Sequence, residues 1–457
     1  MSENLDILIQ GGKIITGDGK TSLERGFIVG SNATIRCVQA GDPEACVCAT
    51  DVIDATGCVV LPGIINAHAH ACILGPSMPS GSLACPREFV NWHRNRHLLS
   101  GTTTLLNVCG LALPDEIFGG ELHPLEIAVS TAHTPSNIRA AQCVDGAGLH
   151  ARHLHATIDD ALSAGAKALG EVGGGQTLGG GAQEYRFIPE AIKRLTGRDI
   201  PPSVSRQLRN AVVGRYLRPQ DGVSDEKLQE ELTSCGLAGV IDPSMARALI
   251  LRSVMPSVDI ALVGFDEVAF HSERTGYPAI FHNSAPSVHR LLEVADKYPG
   301  ARIIAGHSNH PMFLPQEAVS FAGELKRRDV TIDVSTLDCI TTRWRNGPEN
   351  IDALIESGVV DTISTDYAAG HWDGILEAIH RIICKKQMSP PAAVALATGN
   401  VARVFPQLAG DRGLIEVGKR ADLIIADLAN FARVRDVIIG GKRIVRQGAM
   451  VPCLTSG

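Results

Sequence analysis

The feature that most limits the possible folds of this chain is an alternation of short apolar runs with longer stretches that can form helices. Apolar runs of strand length alternating with helical patterns are typical of βα units and a parallel sheet. Eight such units close most naturally into a barrel, whose chemistry lies at the carboxyl ends of the strands. The eight runs are residues 59–67, 103–108, 137–144, 167–172, 279–283, 302–306, 330–335 and 362–365.

The two ends of the chain have a different texture. Residues 5–58 and the last 50 or so residues contain short apolar strands punctuated by glycine, such as 7–9, 26–29, 421–425 and 437–441. Two β-rich ends around a long middle predict that the termini meet in one small sheet domain. We therefore expect an α/β protein with a (β/α)8 TIM-like barrel over residues 59–407 and a composite β-sandwich domain from residues 1–58 and 408–457.

One interval between the predicted strands is abnormally long. More than 100 residues separate the fourth run from the fifth, where one helix and two loops would suffice. Helix-like segments at 204–216, 224–233 and 243–254 predict a helical insertion over residues 186–270, with Asp242 as an N-cap before Pro243. Such a segment after a barrel strand is expected to cover the substrate or to form an oligomer contact.

Composition excludes several classes of partner. The formal net charge is -7, and the sequence has no basic patch of the kind that a nucleic-acid partner needs. We find no signal-like segment, and no run of about 18 apolar residues that could span a membrane. The 12 cysteines are scattered without the paired spacing of a zinc site. We expect a cytoplasmic protein with buried thiols and a small-molecule substrate.

The strand-like segment 61–70 ends in two histidines at spacing i, i+2, His68 and His70. On a β-strand this spacing points both imidazoles to one face, so both can bind one metal ion. A His-x-His pair alone is weak evidence, because two solvated loop histidines would look the same. The other predicted strand ends decide between the two interpretations.

Polar residues at the ends of the other runs supply further ligands. The complete set is His68, His70, Glu171, His282, His307 and Asp366. Four imidazoles and two carboxylates exceed the needs of one tetrahedral ion but suit two ions bridged by a carboxylate and a hydroxide. We expect His68, His70 and Asp366 on one metal and His282 and His307 on the other, with Glu171 spanning both.

Each ligand also has an ordinary interpretation when it is taken alone. His282 and His307 could be structural histidines, Glu171 a paired charge, and Asp366 a helix cap. Lys167 is a rival bridge, since a carboxylated lysine can hold two metals. Lys167 lies at the amino end of the fourth run, about 13 Å from the carboxyl ends of the strands at about 3.3 Å per residue. Glu171 is therefore favoured as the bridging ligand.

Together these residues resemble the amidohydrolase superfamily, and the similarity covers nearly the whole chain. It is carried by segment 62–70, by Ser-Gly-Thr-Thr-Thr at 100–104, and by the tail segments 398–403, 413–423 and 440–442. The resemblance implies a metal-dependent (β/α)8 barrel with a small composite β domain. It also implies a homo-oligomer, since the family tends toward homotetramers.

Within the superfamily, the segment Leu-Gly-Glu-Val-Gly at 169–173 looks most like enamidase-type members, in which a strand-four glutamate replaces the carboxylated lysine. Molinate (thiocarbamate) hydrolase lies near this branch. Asn66 stands where the family often has Asp, and the long insertion after Glu171 is a second departure.

This ligand set predicts a hydrolase that cleaves a C–N bond of an amide, enamide or lactam, which we expect to be cyclic. Two divalent ions, expected to be zinc with cobalt, manganese or iron as alternatives, would acidify a shared water to a hydroxide nucleophile. Asp366 would accept the proton and pass it to the leaving nitrogen. Candidate substrate contacts beyond the strand ends are Tyr185, Arg186, Asn283, His310, Thr336, Tyr367 and His371.

Three alternatives stay open at this point. The first is a thiocarbamate hydrolase of the same branch. The second is a mononuclear ring deaminase, which needs a dedicated acid after the fifth-strand histidine, whereas His282 is followed by Asn-Ser-Ala. The third is a non-catalytic scaffold, which would be expected to lose ligands.

Overall fold

The computed structural model of the chain describes residues 5–44, 48–117, 122–336, 339–340, 347–368 and 372–451. The strands of these residues, in chain order, are β1 (Leu5–Ile15), β2 (Ser22–Ser31), β3 (Thr34–Ala40), β4 (Ala49–Asp54), β5 (Cys58–Pro62), β6 (Ile64–Ala69), β7 (Thr102–Asn107), β8 (Glu126–Thr131), β9 (Ala168–Val172), β10 (Ala279–His282), β11 (Ile303–Gly306), β12 (Thr331–Ser335), β13 (Thr362–Ser364), β14 (Leu423–Asp427), β15 (Asn430–Ile439), β16 (Lys442–Arg446) and β17 (Ala449–Met450).

The α-helices of the same residues are α1 (Arg87–Leu99), α2 (Pro135–Val144), α3 (Ala151–His155), α4 (Ile158–Ser163), α5 (Ile188–Thr196), α6 (Pro202–Val213), α7 (Asp225–Ser234), α8 (Pro243–Thr275), α9 (Val288–Lys297), α10 (Pro315–Lys326), α11 (Glu349–Ser357), α12 (Ile375–Cys384), α13 (Pro390–Ala395), α14 (Gly399–Val404) and α15 (Pro406–Ala409).

The two ends of the chain form one sheet. Its strand order is β17-β16-β15-β14-β5-β1-β2-β3, and β4 pairs with β1. Its apolar core joins Ile7, Ile9 and Ile28 from the beginning of the chain to Leu423 and Ile425 from its end. This confirms the predicted sheet domain, in which strands from both ends of the chain pair in one sheet.

The middle of the chain forms a parallel sheet of eight strands in the order β6 to β13. The first and last strands meet where two backbone bonds join them: Asp366 N donates to His68 O at 2.9 Å, and His70 N donates to Tyr367 O at 2.9 Å. The nearly closed sheet confirms the predicted barrel. Closure of the barrel also brings the end of β6, with His68 and His70, beside the end of β13, which Asp366 follows.

Two of the predicted barrel strands differ from the structure. The third strand is β8 (Glu126–Thr131), and the predicted run 137–144 is helical and lies within α2. Asn137, Ala140, Ala141 and Val144 are the buried residues of α2, and this spacing of three and four residues is helical. The first run is divided, because residues up to Pro62 belong to β5 of the small sheet and the barrel begins with β6.

The long interval after β9 does hold extra helices. The predicted helical segments correspond to α6, α7 and the beginning of α8, and the Asp242 side chain accepts from Met245 N at 2.8 Å as an N-cap. By length and composition alone α8 could cross a membrane, whereas the sequence analysis predicts no membrane span. In the fold its buried residues pack on the barrel, where Phe265 lies 5.1 Å from Phe281 between ring centres.

Candidate metal centre

The six predicted ligands lie together at the carboxyl ends of the barrel strands. The histidine side chains and that of Glu171 are only 2 to 4% exposed, whereas the Asp366 side chain is 17% exposed. Each ligand stands in or just beyond a strand of the barrel: His68 in β6, His70 after β6, Glu171 in β9, His282 at the end of β10, His307 after β11 and Asp366 after β13.

The Glu171 carboxylate lies between two pairs of histidines. Its Oε2 atom is 3.8 Å from His68 Nε2 and 3.6 Å from His70 Nε2. Its Oε1 atom is 2.9 Å from His282 Nδ1 and 3.0 Å from His307 Nε2. Each oxygen of one carboxylate therefore faces a different histidine pair.

Asp366 approaches only one of those pairs. Its Oδ1 atom lies 3.4 Å from His68 Nε2 and 3.2 Å from His70 Nε2. As the most exposed of the six side chains, it is also the ligand with the most direct access to the cleft above the centre. Asp366 thus combines contact with the buried centre and contact with solvent.

The electrostatics of the centre favour bound positive charge. Burial on its own lowers the pKa of His68, but the Asp366 and Glu171 carboxylates outweigh it and raise the pKa to about 9. Burial on its own raises the pKa of Glu171, yet its contacts with His282 and His307 hold that pKa well below the ordinary value. Burial on its own likewise lowers the pKa of His70, but the bond to Asp366 outweighs the effect of burial and raises that pKa well above its ordinary value.

The donor set fits divalent metal ions. Three groups have ligand atoms within 4.8 Å of one another: His68 with His70 and Glu171, His68 with His307 and Asp366, and Glu171 with His282 and His307. His68 Nε2 is buried and has no hydrogen-bond partner. Imidazole nitrogens and carboxylate oxygens that converge in a buried site are the ligands of zinc and related ions.

The backbone at the strand ends helps to aim the ligands. His307 and Asp366 have φ angles of 36° and 49°, in the left-handed region that non-glycine residues rarely adopt. At Gly170, whose φ is 93°, a Cβ atom would collide with the backbone oxygen of Ile280. Glycine there allows β9 to approach β10 closely, which places Glu171 beside His282. Lys167 precedes β9 and lies at its amino end, as predicted.

Two residues support the ligands from behind. Asn66 Nδ2 donates to Thr365 Oγ1 at 2.8 Å, and Thr365 N donates to Asn66 Oδ1 at 3.2 Å, so the side chain ties β6 to the end of β13. The Cys109 sulfur lies 3.8 Å from His70 Nδ1. Sequence reasoning missed Cys109, although its place just after the end of β7 was a usable signal.

A cleft of about 460 Å³ opens above the centre. Its walls come from the loop after β6, the glycine-rich loop after β9, and the turns after β11 and β12; they include Met78, Gly174, Thr177, Asn309 and Ser335. Of the predicted substrate contacts, Tyr185 and His310 line this cleft. Tyr185 is largely exposed, and His310 is half-buried.

The remaining predicted contacts do not line the described part of the cleft. Asn283 is buried and donates to Ser308 Oγ at 3.0 Å, and Thr336 is buried and donates to Asp373 O at 2.7 Å. Tyr367 is buried behind His70, among the aromatic rings of α1 and Trp372.

Arg186, predicted as a holder of a substrate carboxylate, turns away from the cleft. Its guanidinium donates to Val144 O and lies over the ring of Phe187, 4.6 Å from the ring centre. These contacts occupy the charged group on the outside of the barrel. His371 lies outside the described residues.

Comparison with known proteins identifies the kind of domain. Residues 279–444 carry an amidohydrolase-family domain. The match covers β10 to β13 and continues into the small sheet, so it includes His282, His307 and Asp366. Over these residues the match agrees with the predicted resemblance, whereas the narrower enamidase-like branch is taken up below as a proposal.

Two curated proteins are similar in sequence. Imidazolonepropionase of Shouchella clausii (strain KSM-K16) is 34% identical over 115 residues, which are 23% of this chain and 26% of that protein. Adenine deaminase 2 of Rhizobium etli (strain ATCC 51251 / DSM 11541 / JCM 21823 / NBRC 15573 / CFN 42) is 25% identical over an alignment covering 97% of this chain and 58% of that protein. The chain thus spans about a quarter and somewhat over half of these relatives.

Several solved structures share the fold. The β-aspartyl dipeptidase of Fervidobacterium islandicum AW-1 has a TM-score of 0.56 and 16% identity, with 98% of this chain and 99% of that chain covered. D-aminoacylase has a TM-score of 0.55 and 14% identity, with 98% of each chain covered. Molinate hydrolase has a TM-score of 0.51 and 17% identity, with 99% of each chain covered. The family match and the relatives agree with the predicted metal-dependent hydrolysis of C–N bonds.

Proposed function

We propose that the protein is a binuclear metal-dependent hydrolase that cleaves a C–N bond of a small amide. The observation that carries this proposal is the position of Glu171, whose two oxygens face separate histidine pairs at 2.9 to 3.8 Å. A carboxylate in this position can bridge two cations. His68, His70 and Asp366 would hold one ion, and His282 and His307 the other.

The chain's own residues divide the work of the reaction. Ions bound here would supply an acidified water as nucleophile and polarise the substrate carbonyl. Asp366 accepts the proton of the attacking water on its carboxylate and delivers it to the leaving nitrogen, because it is the most exposed of the ligands that line the cleft. The Glu171 charge holds the two halves of the centre together.

The substrate we propose is a cyclic amide, enamide or lactam. The cleft volume of about 460 Å³ is in the range of small-molecule sites, about 300 to 1,000 Å³. The glutamate at strand four supports an enamidase-like branch, and a thiocarbamate is the alternative substrate of that branch. Zinc is the proposed metal, with cobalt, manganese and iron as alternatives.

Deamination of a ring is a second candidate function. It is favoured by the similarity to a protein named adenine deaminase, which extends over 97% of this chain. Such a reaction, taken here at a mononuclear centre, would release ammonia, whereas hydrolysis of a cyclic amide opens the ring without loss of nitrogen. The two reactions therefore differ in a product that is simple to measure.

The test is a substrate panel on protein loaded with zinc, cobalt or manganese. The panel contains lactams, cyclic enamides, thiocarbamates, N-acyl amino acids and adenine, and the products are followed by mass spectrometry and by ammonia release. We expect ring opening of an amide that chelation abolishes and metal restores. Ammonia release from adenine without amide cleavage would favour deamination, and a protein that retains no metal would overturn both.

Two further properties belong to the same proposal. We propose a homo-oligomer, with a tetramer as the expected size, and a cytoplasmic location. Light scattering of the purified protein tests the first, since a mass of about 48.4 kDa would mean a monomer. Fractionation of the source cells tests the second.

A further inference from the structure

The cleft wall contains a histidine that the proposed metal centre does not use. His310 lies three residues beyond the proposed ligand His307, and it is half-buried in the wall of the cleft. Ring centres are 5.4 Å apart for His310 and His282 and 5.7 Å apart for His310 and His307. His310 is absent from the three groups of potential metal ligands among the described residues. It therefore stands beside one half of the centre without being part of it.

A backbone contact fixes which ring nitrogen of His310 carries the proton. Met312 N donates to His310 Nδ1 at 3.2 Å. Only an imidazole whose Nδ1 has a free lone pair can accept this bond, so the neutral ring carries its proton on Nε2. In this tautomer Nε2 is a donor, and it cannot ligate a metal without losing that proton.

The main chain around His310 is firmly held. His310 N donates to His307 O at 2.9 Å, and Phe313 N donates to His310 O at 3.0 Å. Asn350 Nδ2 also donates to His310 O, at 3.0 Å. A donor on a turn anchored in this way needs little reorganisation during a reaction, which is the condition for effective stabilisation of developing charge.

We infer that the Nε2–H group of His310 donates a hydrogen bond to the oxyanion that forms when the amide carbonyl is attacked on the His282–His307 side of the centre. The inference rests on the proposed function. In that step the water oxygen bonds to the carbonyl carbon, and the C=O π pair moves to the oxygen. The water proton goes to Asp366, and His310 keeps its own proton.

The tautomer can be tested independently of activity. Long-range ¹H–¹⁵N spectra of the metal-free protein, with His310→Gln used to assign the signals, report which nitrogen is protonated. We expect Nδ1 to be unprotonated and Nε2 to carry the proton, as the bond from Met312 N requires. A ring whose only proton lies on Nδ1 would overturn the inference whatever the enzyme does.

The role is tested by binding of methylphosphonate, a small tetrahedral oxyanion, to the zinc-loaded protein. His310→Leu removes the donor, and His310→Gln keeps an N–H near the position of Nε2. A hydrogen bond to a charged group is worth enough to weaken methylphosphonate binding by about tenfold to about a hundredfold in His310→Leu. We expect His310→Gln to bind nearly as tightly as the wild type, and zinc content to be unchanged in both variants.

Kinetics on the substrate found by the panel complete the test. We expect His310→Leu to lower kcat with little change in KM, because the bond strengthens only as charge develops. His380→Leu, a histidine outside the cleft that stacks near Phe431, is the matched control. Methylphosphonate binding and kcat unchanged in His310→Leu would overturn the role of His310 alone, whereas a zinc-loaded wild type that does not bind methylphosphonate would contradict the proposed function as well.

Discussion

Replacing Glu171 by glutamine removes the charge on which the centre depends. The shape of the side chain is kept, but one carboxylate oxygen becomes an NH2 group that can neither coordinate a cation nor accept a hydrogen bond from a protonated histidine. The Glu171 oxygens lie 2.9 to 3.8 Å from the four histidine nitrogens. A cation held among those nitrogens would therefore lie within about 4 Å of the carboxylate, where one unit charge is worth about 4 kcal/mol at an effective dielectric constant of about 20.

For a divalent ion this energy doubles to about 8 kcal/mol, so we expect metal affinity to fall by at least about a thousandfold, at about 1.4 kcal/mol per tenfold. We expect the wild type to retain two zinc ions per chain after gel filtration and Glu171→Gln to retain one or none, with hydrolysis lost. Metal content is measured by inductively coupled plasma mass spectrometry, and circular dichroism checks the fold. A folded Glu171→Gln protein that still binds two ions would refute the bridging role.

The matched control is the same substitution at another buried glutamate. Glu184 is paired with Arg206 and Arg209 at 2.7 and 2.8 Å, and its side chain is only 5% exposed. We expect Glu184→Gln to lower the free energy of unfolding because it breaks this ion pair. It should leave two zinc ions bound, which separates loss of a ligand from general destabilisation.

Three further substitutions test other parts of the account. Asp366→Asn should lower kcat by about 10²-fold to 10⁴-fold, the range for loss of a general acid–base group, with the fold intact; near-normal turnover would exclude proton transfer by Asp366. Cys109→Ala should weaken zinc binding by about 10-fold to 100-fold in a chelator competition, since Cys109 supports His70 from behind; an unchanged affinity would show that the sulfur does not orient His70. For Asp352, burial on its own raises the pKa, but bonds from Arg381 and Lys385 lower it to about 2. The ionised Asp352 therefore stabilises the fold above about pH 4, and this stabilisation is lost as the pH falls through about 2. The difference in urea midpoint between Asp352→Asn and wild type should shrink over that range. A difference that does not change with pH would contradict this.

The sequence was sufficient to predict the barrel and the convergence of the ligands. His68 and His70 share a face because side chains alternate along a strand, and parallel strands bring their carboxyl ends to one rim. Glu171, His282 and His307 follow from the same rule applied to other strands. These predictions succeed because they depend on strand period and direction, which the local sequence specifies.

The errors have a different physical origin. The run 137–144 fits a strand by its length and its mostly apolar residues, although its buried positions Asn137, Ala140, Ala141 and Val144 follow helical spacing. Arg186 lies near the cleft in the chain, but the direction of a long side chain depends on tertiary partners such as Val144, which no local pattern reveals.

The contacts of the supporting groups could not be predicted from the local sequence for a related reason. The place of Cys109 just after β7 was a usable signal, but its partner is set only once the barrel has closed and placed its sulfur 3.8 Å from His70 Nδ1. The tautomer of His310 likewise depends on one backbone donor, Met312 N. Contacts of this kind decide how a site is tuned, and they are set by packing rather than by motif.

The most direct test of the central claim is anomalous diffraction from crystals of the zinc-loaded protein, recorded on both sides of the zinc absorption edge. The account predicts two anomalous peaks, one beside His68, His70 and Asp366 and the other beside His282 and His307, with Glu171 between them. A single peak, or no peak at the six side chains after loading with each candidate metal, would contradict it.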